Sequence, residues 1–254
     1  MTTEIENQST EERPVERICP AEGWHVLHLF YQVDQGQWQL LSEEEKLESK
    51  TNLTRLVQEI RATRDTQLLA CSVVTPKADI AFMLLTPDLH DINAFEKRLT
   101  LSLGPDVLTP AYSYLSITAQ DSEKTSTDRG GQEDNELYPE LPDWPVFSFS
   151  NLVRRRGEEH NWYTLETEAR REIMDAHSTL LEKWSDWVQH ITTTSTGLDD
   201  AERSISLFAR DTTDIVDLLE EARHTAYSSQ YAELGDFYLG IQLPLDELFR
   251  RVEL

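Results

Sequence analysis

"TQLLACSVVTPKADIAFMLLTP", residues 66–87, holds two apolar runs that meet across Pro76 and Lys77. Short runs of Leu, Val, Ile and Phe broken by a Pro-Lys turn read as two strands joined by a tight connection. What flanks them decides the architecture. Upstream, "SEEEKLESKTNLTRLVQEI" (42–60) opens with Ser42 and Glu45 at capping-box spacing and carries Leu47, Leu53, Leu56, Val57 and Ile60 roughly in helical phase. Before that, "GWHVLHLFYQVD" (23–34) is β-rich, with Trp24, Val26, His28, Phe30 and Gln32 on one face. Downstream come a second helix, "DLHDINAFEKRLTLSL" (88–103), and a strand, "AYSYLSITAQ" (111–120). The order is β-α-β-β-α-β.

That order recurs. After a polar, Gly-containing stretch at 121–136, the chain gives strand "VFSFSNLV", a long helix over 164–188, strands "HITTTST" and "SISLFAR", helix "DTTDIVDLLEEARH" and strand "DFYLGIQL". Each half has the ferredoxin-like pattern. Either half alone would enclose only a thin core, so the expectation is an α+β fold in which the two antiparallel sheets combine as an α+β barrel with helices outside. The predicted division is a disordered acidic tail at 1–20, an N-terminal half at 21–120, a linker at 121–136 and a C-terminal half at 137–254.

Composition narrows the function classes. The chain has 254 residues, a formal net charge of −24 and 39% hydrophobic residues, enough for a proper core. So acidic a surface is repelled by nucleic-acid backbones and anionic membranes. No apolar run approaches a membrane span, and the polar, acidic N-terminus lacks the basic-then-apolar pattern of a signal peptide, so a cytoplasmic location is expected. Cys19 and Cys71 are too few for a disulfide framework and lack metal-site spacing. No Gly-rich phosphate loop or Ser-His-Asp order is present.

The long helix carries an anomaly. Leu165, Ala169, Ile173, His177, Leu180, Trp184 and Trp187 follow at steps of three or four, and Met174, Leu181 and Val188 widen the same face. His177 therefore interrupts an apolar stripe and points inward. Either it is a core histidine hydrogen-bonded to buried carbonyls, or it is an axial ligand, since a neutral imidazole on a rigid helix is a common protein ligand of haem iron. The spacing allows both.

Eight stretches in order, "EGWHVLHLF", "KADIAFMLLTP", "LTPAYSYLS", "LYPELP", "NWY", "RREIMDAH", "TGLDDAE" and "GDFYLG", spread over residues 22–240, resemble the coproheme decarboxylase and chlorite dismutase family of haem proteins. The resemblance implies haem b or coproheme held in the C-terminal half, hydrogen peroxide as co-substrate and a homo-oligomer, a pentamer by analogy. It implies that His177, ending "RREIMDAH", is the proximal iron ligand. His190 falls at the family's distal position, where arginine or glutamine is usual. An imidazole there, with an ordinary pKa of about 6.5, can move a proton between the oxygens of peroxide, or can simply open the strand and hydrogen-bond locally.

Other positions follow from the same resemblance. Arg223 and Ser228 match propionate contacts, with a solvated helix end as the plain alternative. Trp162 and Tyr163 would wall the pocket or be ordinary core. Allowing a one-residue insertion, Phe149 stands where the decarboxylases carry a radical-forming tyrosine, Val153 near an expected lysine and Glu136 in place of an arginine. Arg154, Arg155 and Arg156 form a basic cluster, either paired with Glu158 and Glu159 or drawing in an anionic ligand. Three functions stay open: peroxide-dependent decarboxylation of coproheme to haem b in haem biosynthesis, a haem peroxidase using His190, and a non-enzymatic haem-binding oligomer.

Overall fold

The computed structural model describes residues 16–118 and 136–254. Most of the predicted tail and linker therefore lie outside the described residues. Among those described, eight strands form the sheet: β1 His25–Val33, β2 Gln67–Val73, β3 Ile80–Thr86, β4 Leu108–Thr118, β5 Val146–Arg154, β6 Val188–Thr194, β7 Arg203–Ala209 and β8 Ala232–Gln242. The helices are α1 Gln35–Leu40, α2 Glu43–Ala62, α3 Leu89–Ser102, α4 Thr167–Lys183, α5 Thr212–Ala222 and α6 Leu245–Arg251. A 3₁₀ turn, Trp162–Thr164, precedes α4, and a π-helical turn, Tyr227–Tyr231, separates α5 from β8.

The strands pair antiparallel throughout and close on themselves in the order β1-β3-β2-β8-β5-β7-β6-β4. Each half supplies four adjacent strands. The two seams are short: Cys71–Val73 of β2 against Gly240–Gln242 of β8, and Ile117–Thr118 of β4 against Thr193–Thr194 of β6. Closure removes the exposed strand edges that either half alone would present. The predicted duplicated α+β barrel is thus the observed architecture.

Strand alternation sorts side chains onto two faces. Val26, Phe30, Met83, Tyr114, Phe147, Phe149, Ile191 and Phe208 fill the barrel interior. Leu27, Leu29 and Tyr31, on the other face of β1, join Leu53, Leu56, Ile92 and Phe95 of α2 and α3 in one continuous outer core. The capping box holds as predicted: Ser42 Oγ accepts from Glu45 N at 3.3 Å, and Glu45 Oε2 accepts from Ser42 N at 2.8 Å. The glutamate satisfies an amide that the helix itself leaves unpaired.

One element is shorter than its periodicity predicts. The helix over 164–188 is α4 alone, ending at Lys183, and a turn through Trp184–Trp187 leads into β6. Trp187 is accordingly 52% exposed rather than part of the buried stripe. Trp184 Nε1 and Lys183 Nζ both donate to Glu221, which fastens this end of α4 to α5.

Candidate functional site

The outer core of the C-terminal half is split where that of the N-terminal half is continuous. One cluster joins Leu180 of α4 to Val188, Leu207, Ile215 and Leu218, beneath α5. The other joins Met174 of α4 to Trp162, Tyr227 and Ala232. His177 lies one helical turn from both Met174 and Leu180, in the gap between them. It is only half-buried although it is on the inward face.

The sheet opposite has the same gap. His190 lies two residues from Val188 on β6 and pairs with Leu207 on β7, and both neighbours pack beneath α4 and α5. Alternation therefore turns His190 towards the helices. His190, Thr192, Arg203 and Ile205 are each only partly buried on that face, so the helix layer stands clear of the sheet at this level. A helical imidazole and a strand imidazole are thus both half-buried where α4 covers the β6-β7 surface.

The wall on one side is aromatic. The Tyr227 ring lies 4.9 Å from that of His177, centroid to centroid, and 5.4 Å from that of Trp162. Trp162 is 1% exposed, and the Arg154 guanidinium sits 4.7 Å from its ring centroid. Trp162 is thus buried between the Arg154 guanidinium and the Tyr227 ring.

Tyr163 is 49% exposed, faces Glu202 and lies under the Arg156 guanidinium, because the 3₁₀ turn sends consecutive side chains to different sides. Burial alone would raise the Glu202 pKa. Hydrogen bonds from Tyr163, the Arg154 amide and Arg156 more than offset this and hold it below the usual carboxylate value. The arginine cluster is in this way partly internal structure: Arg156 pairs with Glu202, and Arg155 donates to Ser229 O at 3.3 Å.

Arg223 caps the C-terminus of α5 and pairs with Glu220 at 2.8 Å with its side chain 73% exposed, the solvated alternative. Ser228 is half-buried in the π-turn, its amide donating to Thr225 Oγ1 at 3.3 Å. The position assigned to Phe149 also needs correcting. Phe149 is fully buried inside the barrel against His28, at 4.3 Å between ring centroids, and so points away from the helices. Ser148 and Ser150, both buried, take the opposite, helix-facing side of β5. The same alternation, unbroken along β5 where it pairs with β7, brings Leu152 into the Trp162 cluster and Arg154, rather than exposed Val153, over the tryptophan.

Sequence reading passed over Arg154 as a wall residue and Tyr227 altogether. Strand alternation counted from buried Phe147 and Phe149 would have turned Ser150 to the helix-facing side. The same count turns Leu152 and Arg154 to that face as well. Among the described residues, no group of three or more His, Cys, Asp or Glu side chains is placed to hold a metal ion. Likewise, no helix among them is long and apolar enough to cross a membrane.

Comparison with known proteins agrees with this geometry. A Natronomonas pharaonis protein named "Putative heme-binding protein" is 33% identical over 241 residues, 89% of this chain, and the chain spans 40% of that relative's length. A solved heme-binding protein from Thermus thermophilus superposes with a TM-score of 0.86 at 29% identity, covering 95% of this chain and all of the other. Chlorite dismutase from Candidatus Nitrospira defluvii, solved with imidazole, shares the fold at a TM-score of 0.76 and 19% identity over 92% of this chain and 97% of its own. Residues 46–243 match the family model described as Chlorite dismutase, and the chain belongs to the chlorite dismutase family.

Proposed function

We propose that the chain binds an iron porphyrin, haem b or coproheme, in the cleft between α4 and β5-β6-β7, with His177 as its iron ligand. One observation carries this reading: the outer core of the C-terminal half parts into two clusters at the level of His177, with His177 on α4 and His190 on β6 both half-buried there. The donor set fits. A single imidazole is too little to hold a bare metal ion, but it suffices for an iron already held by the four nitrogens of a porphyrin. Leu152, Leu165 and Ile173, partly buried against the Trp162 cluster, offer the apolar surface that a macrocycle buries. Arg154 and Arg203, on the same side of the sheet, supply positive charge for propionates.

The bound group would supply redox chemistry. The chain's part would be to orient the iron through His177, keep bulk water from the ring's aromatic edge through Trp162 and Tyr227, and move protons at the His190 imidazole. This favours a peroxidase-like use of peroxide, because His190 is half-buried on the helix-facing side of β6, where an imidazole can accept and return a proton. Titration of haemin into wild type should give a saturable Soret change, while His177→Ala should give a displaced or much weaker one. Identical spectra for the two proteins would overturn the ligand assignment.

A second reading, oxidative decarboxylation of coproheme to haem b, draws on the family resemblance and on Trp162. That indole is buried between Tyr227 and Tyr231 beneath Arg154, an oxidisable side chain next to a propionate-binding charge. Each removed carboxyl leaves as carbon dioxide, and peroxide takes up the two electrons with protons to give water. Coproheme incubated with peroxide and analysed by mass should lose two carboxyl groups under this reading, and Trp162→Phe should block the loss. Porphyrin recovered intact from wild type would leave the peroxidase reading in place.

A further inference from the structure

The π-helical turn Tyr227–Tyr231 is the one segment of the site whose backbone departs from ordinary secondary structure. The Ala232 amide donates to Tyr227 O, five residues back, which makes the turn wider than an α-helical one. Both of its ends are fastened. On the helix side, Ser229 N and Ser229 Oγ bond to Thr225 O at 3.0 and 2.7 Å. On the strand side, Arg155 N donates to Tyr231 O at 2.8 Å.

The widened turn puts two tyrosines on one indole. Tyr227 and Tyr231 meet Trp162 edge-on at 5.4 and 5.7 Å. Tyr227, 4% exposed, then lies against the His177 ring at 4.9 Å with the planes 48° apart. Aromatic pairs at such separations have preferred relative orientations. A ring fixed from behind by Trp162 thus limits how far the imidazole can turn about its own side-chain bonds.

We propose that Tyr227 is a positioning residue for His177: the π-turn and Trp162 hold its ring rigidly, and that ring sets the plane of the imidazole that faces the cleft. The inference rests on the proposed role of His177 as ligand but concerns a different residue. The contact is made by the ring, so the phenol hydroxyl is dispensable. Tyr227→Phe should therefore behave as wild type, whereas Tyr227→Leu, apolar but not aromatic, should not.

The test uses the full chain with and without haemin. Without it, the His177 ring-proton resonance, assigned by its loss in His177→Ala, should move in Tyr227→Leu and stay in place in Tyr227→Phe. With it, the iron–imidazole stretching band should broaden in Tyr227→Leu and haem should dissociate about 2- to 12-fold faster, the worth of one aromatic contact. Far-UV circular dichroism and thermal melting confirm that each variant folds, and a misfolded leucine variant is replaced by Tyr227→Met. A folded leucine or methionine variant with wild-type resonance, band and dissociation rate, or a phenylalanine variant that behaves like leucine, would overturn the inference. If His177→Ala itself leaves the haem spectrum unchanged, the ligand reading fails instead, and the ring-proton result still decides the contact.

Discussion

Lowering the pH from 7 to 4.5 should destabilise the apoprotein by roughly 2 to 3 kcal/mol through one side chain, His28. Its ring is fully buried inside the barrel, among Phe147, Phe149 and Tyr114. Nε2 hydrogen-bonds to Ser206 Oγ at 2.9 Å, and Nδ1 makes no hydrogen bond. Burial disfavours the imidazolium and lowers the pKa from 6.5 to about 3. The sign follows from proton counting: between those values the unfolded chain binds a proton that the folded chain refuses. Stability is therefore full above about pH 6.5, falls as the pH drops, and levels off below about 3.

His28→Leu removes the titration while keeping an apolar side chain of similar size. Its stability at pH 7.5 should be lower by about 1 kcal/mol for the lost hydrogen bond, but its profile between pH 6.5 and 4.5 should be flatter than that of wild type. His25 adds a smaller loss of the same sign: burial lowers its pKa against the opposing effects of its bond to Pro87 O and of Asp88. That contribution is common to both proteins and cancels. Glu202 and Asp88, whose hydrogen bonds depress them below ordinary carboxylate values despite burial, act only below this window. Chemical denaturation at several pH values measures the difference, and parallel profiles would remove His28 as the cause.

His28 also marks the limit of what the linear pattern discloses. The β1 alternation placed it correctly on one face with Val26 and Phe30. However, both faces of β1 are buried, one by helices and one by the barrel lumen, so polarity does not say which side is which. The central hairpin and the Ser42–Glu45 cap were legible because their signals are local. The end of α4 was not, because the apolar repeat runs on past it through Trp184 and Trp187. For the same reason His177 could be read as inward-facing from spacing alone, while Phe149 was given the wrong face: a one-residue shift on a strand exchanges lumen for cleft. Tyr227 left no periodic trace, since a π-turn follows neither the helical nor the strand repeat.

On the proposed reading, replacing His190 with alanine should slow peroxide-dependent oxidation of a small phenolic donor by roughly 100- to 10,000-fold, the usual worth of a positioned proton-transfer group. Breaking the oxygen–oxygen bond of peroxide unevenly requires that the proximal oxygen lose a proton and the departing oxygen gain one. A neutral imidazole accepts the first at its unprotonated nitrogen and returns it to the second, so a single side chain on β6 serves both steps without net change. Its half-buried place on a rigid strand suits this, because the ring stays fixed while peroxide can still reach it. His190→Gln separates the two properties of the residue. Glutamine can hydrogen-bond peroxide but cannot take its proton, so it should be nearly as slow as alanine. Haem affinity should be unaffected in both variants, since His177, Trp162 and Tyr227 lie on the other wall. A glutamine variant at wild-type rate would assign His190 to hydrogen bonding alone, and equal rates in all three proteins would take peroxide chemistry away from this wall and leave the cleft as a binding site.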